Sequence, residues 1–435
     1  MKTKAHKFGL HLFRHDLRID DNEALHKLVN ECDYVVAAYI FDPENLRRSK
    51  YGHCHLGKHR HTFLDQGLLA LEAALNDANI DLHMFSGDPV RSISELINNN
   101  NIDCISFEHH YGFNEQKQIA QLRKLHPKTH LIDGQSHYLL MHDALPFDMA
   151  DMPDVFSPFR RKVEKNLTVR KHLQEYLKEE FNQKLSQTLS VHKSLLNTEP
   201  LVSYKPKHTS SKNGYTGGEE NARARINDYF FNTDSIASYK ETRNGLDGWD
   251  FSSRFSAYLA AGFVSPAYIN QQLTKYEAQR VKNDSTYWLF FELLWREFFH
   301  LQAKKQAGLF FNFGGIQNKP PAVMHNDAAF MQWKDGTTAY PIVNAAMKQL
   351  AATGFMSNRS RQLVASCFVH ELQLDWRYGA AYFEEVLIDF DVASNYGNWQ
   401  YLAGVGSDPR GHRQFNLAKQ TEIYDPKGAF ISKWQ

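Results

Sequence analysis

Cysteine is scarce in this chain: four residues in 435, at Cys32, Cys54, Cys104 and Cys367. They are far apart and show no CxxC spacing, which argues against a disulfide framework or a zinc ribbon and predicts a reducing compartment. No run of about twenty apolar residues occurs, so no transmembrane helix is expected. The N-terminus, MKTKAHKFGLHLFRHDLR, has neither a long apolar run nor a Ser/Arg-rich, acid-poor presequence, so a soluble, cytoplasmic protein with no membrane partner is expected. An excess of one charge is also lacking. Fifty basic side chains against 49 acidic ones leave a net charge of +1, so bulk charge predicts no nucleic-acid affinity and any such partner must meet a local basic patch. The histidine-rich segment YGHCHLGKHRH offers no acid or second cysteine at ligand spacing, so no metal is expected there, only a polar loop leading into a helix.

Aromatic residues, in contrast, are plentiful: 30 Phe, 20 Tyr and 7 Trp suit a densely packed helical core. In residues 1–135, β-like runs at 8–13, 34–41, 82–85, 104–107 and 130–132 alternate with helical ones at 22–29, 61–78, 90–97 and 115–125. That order predicts an α/β domain with a doubly wound parallel sheet and a crevice at the carboxyl ends of its strands. RHDLRIDDN follows the first strand where a dinucleotide-binding domain would carry a Gly-rich turn, so this domain is not expected to hold a cofactor's pyrophosphate. Residues 136–217 read as a long connector, with a helix around 160–185 and then the polar run SYKPKHTSSKNGYTGGEE, expected as an exposed loop. Residues 218–435 read as an all-helical domain. Pro341 begins a helix whose Ile342, Ala346 and Leu350 share a face, and Gly354 stops it.

The stretch 354–415 concentrates the polar chemistry. Asn358, Arg359 and Arg361, then Asp389 and Asp391, then Asn395 and Trp399 lie among apolar residues at helical spacing, such as Leu363, Val364, Cys367 and Phe368. Buried acids, amides and arginines need partners, or each costs several kcal/mol, and a polar ligand among the helices would supply them.

These segments together resemble the cryptochrome/photolyase family and, within it, the DASH-type cryptochromes. RHDLRIDDN is similar to the family's opening signature and SSRFSAYLAAGFVSP to its flavin phosphate loop. WREFF, AYPIVNAAMKQLAATGFMSNRSRQ and DFDVASNYGNWQYLAGVGSDPR follow in the expected order. The DASH assignment rests on FMSNRSRQ, Tyr401 and GVGSDPR. The resemblance implies FAD in the helical domain, its phosphates contacted by Tyr239 and by Ser252, Ser253 and Ser256, with Arg254 and Phe255 in the same loop. A hydroxyl-rich loop opening a helix is suited to an anion, though it also suits a simple helix cap. Arg361 and Asp389 resemble the ion pair near the isoalloxazine, with Asp391 at the ring edge. Asn395 matches the position facing flavin N5, where a neutral amide does not repel a reduced, anionic ring. Trp399 and Trp376 match the inner members of the electron-transfer chain. The outer tryptophan is missing, PPAVMHND standing in its place, and Tyr340 and Trp333 are alternative outlets.

By the same resemblance, the activity is blue-light-driven repair of cyclobutane pyrimidine dimers by electron transfer from photoexcited reduced flavin, in a pocket lined by Glu292, Trp295, Asn358 and Tyr401. Glu292 could alternatively be a buried charge paired to Arg296. Tyr401 stands where duplex-acting relatives carry a second tryptophan, so dimers in single-stranded or locally open DNA are the expected substrate. Arg296, Arg359, Arg410 and Arg413 are candidate DNA contacts. Glu115, in FNEQKQ, matches the position holding the pterin of a methenyltetrahydrofolate antenna, whereas Pro158 departs from the glutamine expected in DASH relatives. A monomer is expected. The alternative from another class is a blue-light photoreceptor, a regulatory DNA-binding cryptochrome with little repair activity.

Overall fold

Five apolar runs in the first 135 residues form a parallel sheet: β1 His6–Phe13, β2 Cys32–Phe41, β3 Leu82–Ser86, β4 Cys104–Glu108 and β5 His130–Gly134. The computed structural model describes residues 4–173, 196–211, 213–408, 410 and 413–435. The strand order is β5-β4-β1-β2-β3, with Gly9 opposite Cys104 and His11 opposite Ala37. Strands covered on both faces read as continuous apolar runs, which is why β1 and β4 lack alternation. Helices α1 Glu23–Glu31, α2 Lys58–Asp77, α3 Pro89–Asn100 and α4 Phe113–Leu125 connect them. Asn22 opens α1 by accepting from the Leu25 amide at 3.0 Å, and Asp88 opens α3 by accepting from the Arg91 amide at 2.8 Å. The chain reverses its direction across the sheet after β3, so the topological switch point lies between β1 and β4.

The connector corrects two expectations. Val202–Ser203 adds a sixth strand, β6, antiparallel to β3, and the polar run beyond it is not simply an exposed loop. The Tyr204 hydroxyl donates to Asp65, and Tyr215 is buried among Phe63, Trp249, Tyr258 and Phe355. A two-residue strand has no periodicity to read, and a lone aromatic in a polar run is buried by what packs over it. The helix expected over 160–185 runs Phe156–Lys165, while residues 174–185 lie outside the described residues.

Beyond residue 218 the described residues form helices and turns without a strand. Asp284–Gln306 is opened by a capping box of Asn283 and Thr286. Pro341–Thr353 has its proline in the first turn and ends at Gly354 in the left-handed region, φ +71°. Asn358–Ser366, Trp376–Val386 and Val392–Leu402 follow. Among the described residues no helix is long and apolar enough to cross a membrane.

The sheet and the helices share one core. Phe63 of α2 meets Phe263 at 5.0 Å and Tyr258 at 5.5 Å between ring centroids. The opening signature proves to be part of this junction. Arg18, 1% exposed, donates to the Gly262 carbonyl at 3.0 Å and to Ser136 Oγ at 2.7 Å. Gly262 has φ +72°, and a Cβ there would lie 1.9 Å from the His15 carbonyl oxygen. Four histidines of the 51–61 segment reach the rest of the fold: His53 to Glu385 at 2.5 Å, His55 to Glu384 at 2.7 Å, His59 to the Ala351 carbonyl at 3.1 Å and His61 to the Tyr204 hydroxyl at 3.0 Å.

Asp16 gives this junction a pH signature. Burial alone would raise its pKa, but His11, the Arg14 amide and Arg18 outweigh burial and hold it at about 2. A carboxyl depressed on folding contributes stability that is present above its unfolded value near pH 4 and lost as pH falls through 2. Asp16→Asn is therefore expected to flatten the loss of stability over that window by about 2 kcal/mol, read from urea midpoints against pH. An unchanged slope contradicts this.

Candidate functional site: a cavity in the helical domain

The helical domain encloses a cavity of about 440 Å³, with a contiguous arm of about 100 Å³. Helical spacing places its lining. Glu292, Trp295 and Phe299 lie on one face of Asp284–Gln306; Asn358, Arg361 and Gln362 on the first turns of Asn358–Ser366; Ser394, Asn398 and Tyr401 on Val392–Leu402. Tyr239, Arg243 and the loop from Ser252 to Ser256 close one end, and Asp389 and Asp391 stand where the two regions of lining meet.

Arg361 Nη2 donates to Asp389 at 2.8 and 3.0 Å, and its Nε donates to the Met356 carbonyl at 2.9 Å. Ser256 Oγ donates to the same carboxylate at 2.6 Å. Asp391 caps its helix by accepting from the Ser394 amide at 2.7 Å and meets His300 Nε2 at 3.1 Å; the Tyr111 hydroxyl, from the α/β side, donates to it. Burial alone would raise the Asp391 carboxyl, but His300, Arg296 and Tyr111 hold it well below the usual carboxylate range. Asn395 Nδ2 is held by the Ala380 carbonyl at 3.0 Å, which leaves Oδ1 as the atom available to a ligand's donor.

The serine loop is braced from behind. Arg225 donates to the Ser253 carbonyl at 3.1 Å and the Ser252 carbonyl at 3.3 Å, so these carbonyls are engaged away from any anion in the cavity. Arg254 holds φ +64° and lays its guanidinium 3.8 Å from the Phe355 ring centroid. The helix that begins here runs Ser256–Ala261, with Phe255 as its cap.

At the other side, Arg243 Nη2 meets Glu292 Oε1 at 2.6 Å. The partner of Glu292 is therefore Arg243 and not Arg296, because Arg296 turns its guanidinium to the His137 carbonyl and Nε2, both at 3.0 Å. Burial pushes the Glu292 carboxyl up, with Arg243 opposing. Trp295 stacks on Phe156 at 3.7 Å and 10°, and stands perpendicular to Tyr401 at 6.0 Å. The Arg413 guanidinium lies 4.6 Å from the Tyr401 ring centroid and is paired to Asp408.

Residues 9–179 match the DNA photolyase family, and residues 288–435 match the family described as the FAD binding domain of DNA photolyase. The chain is 43% identical over 432 residues to the cryptochrome DASH of Idiomarina loihiensis, covering 99% of this chain and 93% of that protein. The chain belongs to the cryptochrome/photolyase family, as a DASH-type cryptochrome. It is also 39% identical over 430 residues to the cryptochrome DASH of Danio rerio, covering 97% and 82% of the two chains. Among solved structures it is similar to a Synechocystis cryptochrome, with TM-score 0.89, 37% identity and coverage of 100% and 89%. A class III photolyase from Agrobacterium tumefaciens has TM-score 0.77, 27% identity and coverage of 100% and 87%.

The cavity of this DASH-type chain fits the cofactor that its FAD-binding domain implies: it is lined by the hydroxyls of the serine loop, by a fixed guanidinium–carboxylate pair that Ser256 joins, and by a second acid, with the Asn395 amide in the arm. Trp399 lines the arm and packs so closely on Gly379 that a Cβ there would lie 2.2 Å from its ring. Trp376 is buried one helical turn before Gly379, its Nε1 donating to the Phe313 carbonyl at 3.0 Å. Of the two alternative outlets, Trp333 is fully buried with its ring 6.1 Å from Trp399, whereas Tyr340 points its hydroxyl at Glu371.

The four arginines do not form one patch. Arg413 stands at the cavity rim, and Arg296 faces inward. Arg359 donates to Asn244 and packs on Tyr424 and Phe415, while Arg410 is exposed beside a neighbouring depression. Glu115 lies outside this cavity. It lines a second one, of about 640 Å³, between the strand ends and the helical domain, which Pro158 does not line. Sequence reasoning missed Arg243, Gln362 and Asn398 in the cavity, and Tyr111, His300 and Phe156 behind it. Only Arg243, one helical turn after Tyr239, and Gln362, beside Arg361, carried a positional signal.

Proposed function

We propose that this chain is a light-driven lyase that holds FAD in the helical cavity and, as a monomer, splits cyclobutane pyrimidine dimers in single-stranded or locally open DNA. The supporting observation is that one cavity brings Arg361–Asp389, Asp391 and the serine loop together with Glu292, Trp295, Asn358 and Tyr401. Bound FAD supplies the photoexcited electron donor. The protein's own groups do the rest. The Asn395 carbonyl accepts from a ring N–H without adding charge, and Arg361–Asp389 presents a fixed cation and anion that need no reorganisation. Trp399 lies against the arm, where it can return an electron to an oxidised cofactor.

On the substrate side, Glu292 keeps one carboxylate oxygen on Arg243 at 2.6 Å and can accept from a pyrimidine N–H with the other. Trp295, braced by Phe156, offers a rigid stacking face, but Tyr401 stands perpendicular to it and does not complete a parallel clamp. Taking a dimer out of a duplex costs a few kcal/mol, and stacking returns about 1–3 kcal/mol per base. One stacking face leaves that cost incompletely offset, so single strands are preferred. The arginines supply few free cations at the rim, and this favours, as a second reading, a blue-light photoreceptor with weak DNA binding and little repair. In the second cavity, a methenyltetrahydrofolate antenna would have to take the Glu115 carboxylate from His15 and His110.

The test uses protein with reduced flavin and follows dimer loss under blue light from a single-stranded oligonucleotide and from the same sequence in intact duplex, each with a dark control. Faster loss from the single strand and none in darkness are expected. Equal rates on both substrates contradict the preference, and dark loss, or no loss under light, contradicts the lyase.

A further inference from the structure

Trp376 lies 6.2 Å from Tyr396 between ring centroids, edge to face at 80°, and Tyr396 stands one helical turn before Trp399 on Val392–Leu402. The Tyr396 hydroxyl donates to Glu384 Oε2 at 3.0 Å, and the other oxygen of that carboxylate is held by His55 Nδ1 at 2.7 Å. Tyr396, Glu384 and His55 all line the second cavity, of about 640 Å³. We propose that Tyr396 is the terminal electron donor of this chain's buried tryptophans, with Glu384 taking its phenolic proton, and that the second cavity is where a small thiolate resets it. This rests on FAD occupying the helical cavity, and it adds a donor, a base and an outlet that the flavin site does not contain.

Trp399, which lines the arm, loses one electron to the light-excited oxidised cofactor and regains it from Trp376. The Trp376 cation is filled by one electron from Tyr396, whose O–H bond breaks as the proton moves to Glu384 Oε2. A neutral phenoxyl radical and a protonated carboxyl remain. One electron from a thiolate then restores the phenol, which takes its proton back from Glu384, and the thiyl radical carries the oxidising equivalent away.

Hydrogen-bond partners decide where the missing electron comes to rest. Trp376 is 1% exposed and its Nε1 donates to the Phe313 carbonyl at 3.0 Å, an acceptor that cannot take a proton, so an oxidised Trp376 stays a buried cation. Tyr396 has a carboxylate within the reach of a general base and avoids that cost by becoming neutral. Burial and Glu384 hold its phenol well above the ordinary value, so at neutral pH the proton leaves only with the electron. Neither outlet considered from sequence combines a tryptophan contact with a base. Trp333 packs on Trp399 at 6.1 Å but donates its Nε1 to the Val364 carbonyl at 2.9 Å. Tyr340 meets Glu371 at 3.3 Å but packs on no tryptophan among the described residues. Access points the same way: Tyr396 lines the second cavity and Trp376 does not, so a reductant entering there meets the phenol and not the indole.

The experiment loads the full chain with oxidised FAD, counts flavin by absorbance, and freezes the sample under blue light without added reductant for electron paramagnetic resonance. A neutral tyrosyl signal is expected. Tyr396→Phe keeps the ring against Trp376 and should lose the signal with flavin content unchanged. Glu384→Gln keeps the phenol but removes the base, and should slow formation of the radical by about 100-fold in flash absorption. Tyr340→Phe should leave the signal as in wild type, and added 2-mercaptoethanol should shorten its lifetime. Colourless protein removes the flavin reading and this one with it. FAD-loaded wild type that gives a tryptophan radical alone, a tyrosyl signal that survives Tyr396→Phe, or formation indifferent to Glu384→Gln overturns Tyr396 as the donor. A lifetime indifferent to the thiol overturns the outlet.

Discussion

Asp389→Ala is expected to cost about 3 kcal/mol of folding stability and to leave the protein without flavin. The carboxylate accepts two bonds from Arg361 and one from Ser256, and its side chain is 2% exposed. Removing one member of a buried pair typically costs 3–5 kcal/mol because the other is left uncompensated. Arg361 is 24% exposed and recovers part of its hydration, which places the expectation at the lower end. The freed guanidinium and hydroxyl would also lose the geometry proposed to hold the isoalloxazine. Urea unfolding gives the first quantity and flavin absorbance per chain the second. A stability change below about 0.5 kcal/mol, the range of an ordinary surface substitution, contradicts the account.

Trp295→Ala should weaken binding of a dimer-containing single strand by about 5- to 150-fold, the equivalent of 1–3 kcal/mol for one lost stacking face. Its effect on an undamaged strand should be smaller, because phosphate contacts carry affinity without reading the base. Phe156 loses its stacking partner in the same variant. Trp295→Phe, which keeps an aromatic ring against Phe156, should therefore recover part of the affinity if stacking on the lesion is the cause. Equal losses on damaged and undamaged strands in a normally folded variant would mean that Trp295 only packs.

Most of this architecture is written in apolar runs and in the punctuation between them. The parallel strands are buried on both faces and flanked by caps such as Asn22 and Asp88, so local sequence and global fold agree there. The antiparallel β6 escaped because two residues have no period, and Tyr215 because a polar run can still deliver one ring to a core. The cavity was legible where a polar residue sat in an apolar helical face, as with Arg361 and Asn395, whereas Asp389 lies in the turn between Trp376–Val386 and Val392–Leu402. What sequence does not carry is which charge meets which. Glu292 and Arg243 are 49 positions apart, and their pairing is decided by how Tyr239–Thr242 packs on Asp284–Gln306. Arg296, one residue beyond Trp295, points instead at the α/β side. Tyr111 and His300 likewise reach Asp391 only because the two halves share a core. The directions of the arginines, and hence the grip on DNA, belong to the same class of unwritten detail.

The account stands on the helical cavity being a flavin site, and counting FAD tests that directly. Flavin-free protein titrated with FAD should saturate at one molecule per chain, and the end point should fall sharply in Asp389→Ala. A wild-type chain that takes up no FAD, or an Asp389→Ala chain that binds it with the same stoichiometry and affinity, would place the cofactor elsewhere and contradict the account.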